Sequence, residues 1–199
     1  MAYSDITLTQ LKDQFGISNF QKHLFEKMPP LEISEWLQKC LEIAAELPVR
    51  SEKAKSEWIV APILTELRNR NDKFFTIYSG ENLVGDASQG LNGECDFILS
   101  KESGSFDINC PIIQVVEAKK NDVEVGIAQC AAQMLGAKIF NQKKGEPTEY
   151  VYGCVTTGTE WLFLKLNDVL TIDKRKYFLN ELGEILAVFQ HILDFYKPK

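Results

Sequence analysis

Pro111–Lys120 reads PIIQVVEAKK, a near-continuous apolar run that ends abruptly in charge. A short apolar run of this kind marks a strand covered on both faces, the central strand of a sheet. Residues two apart on a strand share a face, so Glu117 and Lys119 project together. A carboxylate and an ammonium at the end of a buried run need each other, a ligand or water. Glu117-Ala118-Lys119 is also the only place in the chain where a lysine stands two residues after an acid.

Working outward, GECDFILS (93–100) alternates, with Glu94, Asp96 and Ile98 facing one way and Cys95, Phe97 and Leu99 the other. FFTIYSG (74–80) is β-branched and aromatic, and a loop rich in Gly, Asn and Asp follows it. A polar loop through Ser103, Gly104 and Ser105 leads into the central strand. Beyond that strand, Asn121 or Asp122 can cap a helix over 123–140. KKGEP then makes a turn. YVYGCVTT and TEWLFLKL read as a hairpin about Gly158, and an amphipathic helix closes the chain over 177–196.

On the N-terminal side, 51–70 reads as a long helix with Trp58, Ile59, Pro62, Ile63 and Leu67 along its stripe, kinked or split at Pro62. A shorter helical pattern runs from Ile33 through Ala44 towards Pro48. Short helical pieces precede Pro29 and Pro30. The order is helix, three strands, helix, two strands, helix, which predicts an α/β fold with helices packed on a mixed central sheet. Residues 1–48 are expected to form an N-terminal helical arm packed on the core, and 49–199 the α/β domain proper.

Composition narrows the function classes. Apolar residues make up 45% and charged residues 25%, ordinary for a globular chain. No apolar run is long enough to cross a bilayer, and the N-terminus lacks a secretory pattern, so no membrane partner and a cytoplasmic location are expected. The five cysteines include no CxxC pair, which suits free thiols in a reducing compartment. Two distant histidines, His23 and His191, disfavour histidine-based zinc chemistry and a Ser-His-Asp triad. Gly90 and Gly93 lack the spacing of a phosphate-binding loop. The net charge of −6 weighs against a protein that simply coats DNA, although a metal ion or a local basic strip can override the overall sign.

If the two strands pair, Asp96 and Glu117 converge at one edge of the sheet. Two carboxylates suit a hard cation such as Mg2+ (or Mn2+), and the Ala118 carbonyl between Glu117 and Lys119 could add a third oxygen. A bound cation would acidify its water and polarise a phosphoryl oxygen, while Lys119 orients that water or offsets developing charge. Such a set of parts suffices for phosphodiester hydrolysis without a histidine.

The run GECDFIL, a variable loop, IIQVVEAKK and then a helix carrying Gln129 resembles the PD-(D/E)xK superfamily of restriction-endonuclease-like nucleases. Within it, the chain is most similar to the nuclease domains of type I restriction enzyme R subunits and related stand-alone proteins. The resemblance covers roughly residues 50–166 and rests on the order Glu57, Asp96, Glu117, Lys119, Gln129 and a closing hairpin. It implies a restriction-endonuclease-like fold and metal-dependent hydrolysis of nucleic acid, with DNA the expected substrate. In that reading Asp96, Glu117 and Ala118 bind the metal, and Lys119 serves catalysis. Glu57 approaches from the first helix as a further ligand or a holder of water, and Gln129 supports the metal site or touches the nucleic-acid backbone. A homodimer or a larger restriction or defence assembly is the implied setting. Two departures stand out. Cys95 precedes the aspartate where proline is common, and Gln133 occupies a helix position where some relatives have tyrosine.

Blander readings stand beside these. Glu57 next to Lys53 and Lys55 is also what a solvated helix charge looks like. Glu94, Gln129 and Gln133 are of types usually found at surfaces. Lys120, Lys138, Lys143 and Lys144 could follow phosphates or simply face water. The alternative functions are a non-catalytic module that binds nucleic acid or a partner on the same fold, and an unrelated α/β protein whose Glu117 and Lys119 form a structural ion pair.

Overall fold

The computed structural model describes residues 2–101 and 104–198. Seven strands form one mixed sheet in the order β1-β7-β6-β5-β4-β3-β2. They are β1 (Ser18–Lys22), β2 (Thr76–Asp86), β3 (Leu91–Ser100), β4 (Ile112–Ala118), β5 (Val151–Thr156), β6 (Glu160–Leu166) and β7 (Val169–Phe178). Every residue of β4 is buried, as expected of a strand covered on both faces. β4 pairs with β5 in parallel, and the connection between them is α5 (Ile127–Lys143), a βαβ unit. β1 and β7 are also parallel, and the remaining pairs are antiparallel.

Helices cover both faces. On one, α5 packs with the N-terminal residues Tyr3, Ile6 and Leu11 over Ile98, Val115 and Val155. On the other lie α2 (Glu35–Glu46), α4 (Ala61–Arg70) and α6 (Leu182–Tyr196), which enclose Phe97, Val116, Trp161 and Phe163. At roughly 1.5–3 kcal/mol per large apolar side chain buried, these two cores supply the main driving force for folding. Among the described residues no helix is long and apolar enough to cross a membrane.

Several elements depart from the sequence reading. Residues 18–22, expected to be helical, add edge strand β1 to the sheet, so the first 48 residues are not a purely helical arm. The segment 80–86, expected to be loop, continues β2 despite Gly80 and Gly85. Strand β7 was not anticipated; its charged run DKRK masks an alternation that starts after the Asn167-Asp168 turn. Finally, α6 starts at Leu182 and not at 177. Ser103, placed in a polar loop, lies outside the described residues.

Pro62 neither breaks nor ends its helix. Short helix α3 (Glu52–Lys55) runs into a π-helical turn (Ser56–Val60), which continues into α4. Proline has no N–H and crowds the carbonyl four residues back. The wider turn, in which the Ala61 N–H bonds the Ser56 carbonyl, makes room for it.

One close approach ties the sheet to α5. A Cβ on Gly136 would lie 2.0 Å from the Tyr3 hydroxyl, and one on Gly85 would lie 2.5 Å from the Gly136 Cα. Buried Tyr3 thus packs directly on the α5 backbone, where β2 also touches. Gly136→Ala is expected to destabilise the fold by about 1–3 kcal/mol, as overpacking does, read as a lower urea midpoint with an unchanged m-value.

Candidate active site

Asp96, Glu117, Ala118, Lys119 and Gln129 come together where β3, β4 and the start of α5 meet. The β3–β4 ladder runs through Phe97↔Val116, so Asp96 and Glu117 occupy the next position along it. The ladder does not continue there in the usual way. The Asp96 carboxylate takes the Ala118 N–H at 2.7 Å and replaces a backbone acceptor. A residue's N–H and C=O point to the same side of a strand, so the Ala118 carbonyl also projects towards β3.

A break in the alternation of β3, without a change of register against β2, makes this possible. The simple alternation expected for 93–100 fails around Asp96. Cys95 and Ile98 lie in the α5-side core, while Phe97 and Leu99 lie in the opposite one. Opposite Asp96 on β2 sits Gly80, with φ +69°, a left-handed conformation that glycine adopts freely. Such a local irregularity re-aims side chains, here next to the carboxylates.

Glu117 is only 2% exposed. Its Oε1 accepts the Lys119 ammonium at 2.6 Å, and its Oε2 accepts the Gln133 amide at 2.7 Å. Lys119 also donates to Gln129 Oε1 at 3.1 Å. Gln129 and Gln133 are one helical turn apart on α5 and both face β4, because side chains at i and i+4 stack on one face. Gln133 is fully buried, contrary to its surface reading, and its Oε1 has no hydrogen-bond partner. Gly126 lets this helix come close. A Cβ there would lie 2.5 Å from Val155 and 3.0 Å from the Lys119 stem.

Electrostatics follow from burial. Loss of water, then the nearby Asp96 charge, push the Glu117 carboxyl up to about 7, and the Lys119 and Gln133 donors only partly oppose this. Burial likewise raises Asp96, against the pull of the Ala118 N–H and Lys119. Burial lowers the Lys119 amine, but Glu117, Glu52 and Asp96 outweigh it and leave the amine raised.

Glu57 is set apart from this network. It is exposed and pairs loosely with Lys53 at 3.8 Å. It does line, with Glu52, Glu94 and Asp96, a cleft of about 480 Å³ between the α3 end of the helix and β2–β3. Two participants, Glu52 and Lys55, escaped the sequence reading, and a third, Gln133, was read there only as a departure from the family pattern or a surface residue. Glu52 acts on both Asp96 and Lys119. Lys55 donates to the Lys120 carbonyl and ties α3 to the end of β4. Gln133 holds Glu117, and its spacing from Gln129 was the available signal. Among the described residues, no group of three His, Cys, Asp or Glu side chains is placed to hold a metal ion. No family model matches the chain, and no curated protein matches it.

Two outcomes follow. Because the folded-state value of Glu117 lies above the ordinary 4.5, the folded chain binds more protons than the unfolded one between these values. Its contribution to stability is therefore present at low pH and lost as pH rises from about 4.5 to about 7. Urea melts across that range should show this slope in the metal-free protein, and Glu117→Gln should remove it. Gln133→Leu strips one partner from a buried carboxylate and should cost about 1–3 kcal/mol. The same change in a Glu117→Leu background should cost much less, a coupling measurable by double-mutant cycle.

Proposed function

We propose that the chain is a metal-dependent nuclease of the PD-(D/E)xK type, hydrolysing phosphodiester bonds in nucleic acid, with DNA as the preferred substrate. The observation that carries this reading is the placement of Asp96 and Glu117 side by side at the end of a buried strand, with the Lys119 ammonium against them and a cleft in front. The five free thiols suit action in a reducing cytoplasm.

The donor set fits Mg2+ or Mn2+. The oxygens are hard, and only two are carboxylates, matching a cation that keeps several waters. Burial destabilises both carboxyls as anions, aided by Asp96 at Glu117 and by Glu52 and Glu94 at Asp96, so a cation between them would relieve a cost the fold already carries. Asp96, Glu117 and the Ala118 carbonyl would hold the ion. When bound, it would supply Lewis acidity and an acidified water. The chain's own groups do the rest. Gln133 orients Glu117, and the Asp96 carboxylate is fixed by the Ala118 N–H. Lys119, steered by Gln129, presents a cation to negative charge growing on the phosphate. Glu57 and Glu52 line the approach, where they can order water.

The arrangement also favours a second reading, in which the chain binds nucleic acid or a partner without cleaving. Both Glu117 oxygens already have protein partners, so the site is satisfied as it stands. One experiment separates the two. The protein is incubated with single- and double-stranded DNA and RNA, with EDTA, MgCl2 or MnCl2. Cleavage is expected only with metal. Glu117→Gln and Lys119→Met should each slow it at least about 100-fold, the scale of losing one charge-stabilising group. Binding without cleavage under either metal would select the second reading. Cleavage that survives both substitutions would remove this site from the mechanism.

A further inference from the structure

A second set of groups gathers at the opposite end of the same strands. Phe20 on β1, Thr171 on β7, Lys165 on β6 and Tyr152 on β5 form one cross-strand row. Phe20, Thr171 and Lys165 border, with Lys22, His23 and Tyr150, a pocket of about 340 Å³. That volume falls at the small end of the ~300–1,000 Å³ range of small-molecule sites. Tyr150 precedes β5 by one residue, whereas Glu117 pairs with Val155, so roughly 17 Å of strand separates the two sites.

The pocket is electrostatically incomplete. The Lys165 ammonium lies 3.5 Å from the centre of the Tyr150 ring and 5.6 Å from that of Tyr152. Partial burial, and then the neighbouring Lys22, hold its amine below the ordinary lysine range, with Glu149 the one group acting the other way. Glu149 is engaged with the Tyr150 hydroxyl. Among the described residues, neither Lys22 nor Lys165 makes an ion pair, whereas the partly buried Lys119, Lys138, Arg175 and Lys176 each do. Two cations that face one pocket without a carboxylate match a group with two negative charges. A phosphate monoester carries about −1.5 to −2 near neutral pH. At the rim, the half-exposed Phe20 ring offers a face for stacking, and Thr171 offers a hydroxyl.

We propose that this pocket binds the phosphate of a nucleotide between Lys22 and Lys165, with Phe20 against the base. The site is separate from Glu117 and does not depend on that centre being catalytic. The phosphate can belong to a free mononucleotide or to a nucleic-acid strand, and the same chemistry recognises both.

Isothermal titration of the full chain in EDTA tests this, with adenosine 5′-monophosphate, adenosine and a short single-stranded DNA as titrants. Saturable binding of the monophosphate is expected, with none for adenosine. Lys165→Gln and Lys22→Gln should each weaken it at least tenfold, while Glu117→Gln leaves it unchanged. If only the oligonucleotide binds, and both lysine variants weaken it, the phosphate comes from a strand and the site stands. Adenosine binding as tightly as its monophosphate would overturn the proposal. So would affinities for both phosphate ligands that ignore the two lysines, or an absence of binding by either. Lys22 is exposed, and unchanged circular dichroism of its variant ensures that a loss reports the pocket and not the fold.

Discussion

A carboxylate taken out of water must be compensated, and Glu117 sits almost wholly inside the protein. Its compensation comes from two directions, and each depends on a different part of the fold. Lys119 is supplied by the same strand, two residues on. Gln133 comes from the helix that follows, and it reaches Glu117 only because Gly126 lets α5 approach the strand. The surrounding β3 segment brings Asp96, which raises the cost of ionising Glu117. Burial and a like charge press the pair towards the neutral form while the ammonium pulls it back. A carboxyl balanced in this way takes up its proton at a higher pH than one in an exposed ion pair would.

The same balance explains the irregularities around it. Regular pairing at Asp96 would give the Ala118 N–H a backbone acceptor and leave the aspartate with no fixed partner. The break in alternation opposite Gly80 instead lends that N–H to the carboxylate. Similarly, the π-helical turn before Pro62 keeps α3 and α4 continuous, so that Glu52 and Lys55 stay next to the end of β4. Bulges and π turns commonly mark places where backbone regularity yields to positioning.

Much of this was legible beforehand. The apolar run IIQVVEA identified β4, and the two-residue spacing placed Glu117 and Lys119 on one side of it. GECDF indicated the strand that carries Asp96, and the downstream helix and hairpin were readable from period alone. Strands β1 and β7 were not. β1 is an edge strand and polar at most positions, which needs no apolar pattern, whereas β7 lies inside it and its charged run DKRK interrupts the apolar alternation. Glu57 was drawn to the site by order in the sequence, yet it stands at the cleft's outer wall, paired with Lys53.

The sequence by itself determined the central strand, the face shared by Glu117 and Lys119, and the mixed α/β character, because these follow from local periodicity and from the cost of burying charge. Only the tertiary structure decided that Gln133 and not Glu57 touches Glu117, that Asp96 bonds the backbone of Ala118, and that Lys22 and Lys165 border one pocket. Those contacts join residues far apart in the chain, and their existence depends on register, a glycine-sized gap and the route of the N-terminal segment, none of which leaves a periodic trace.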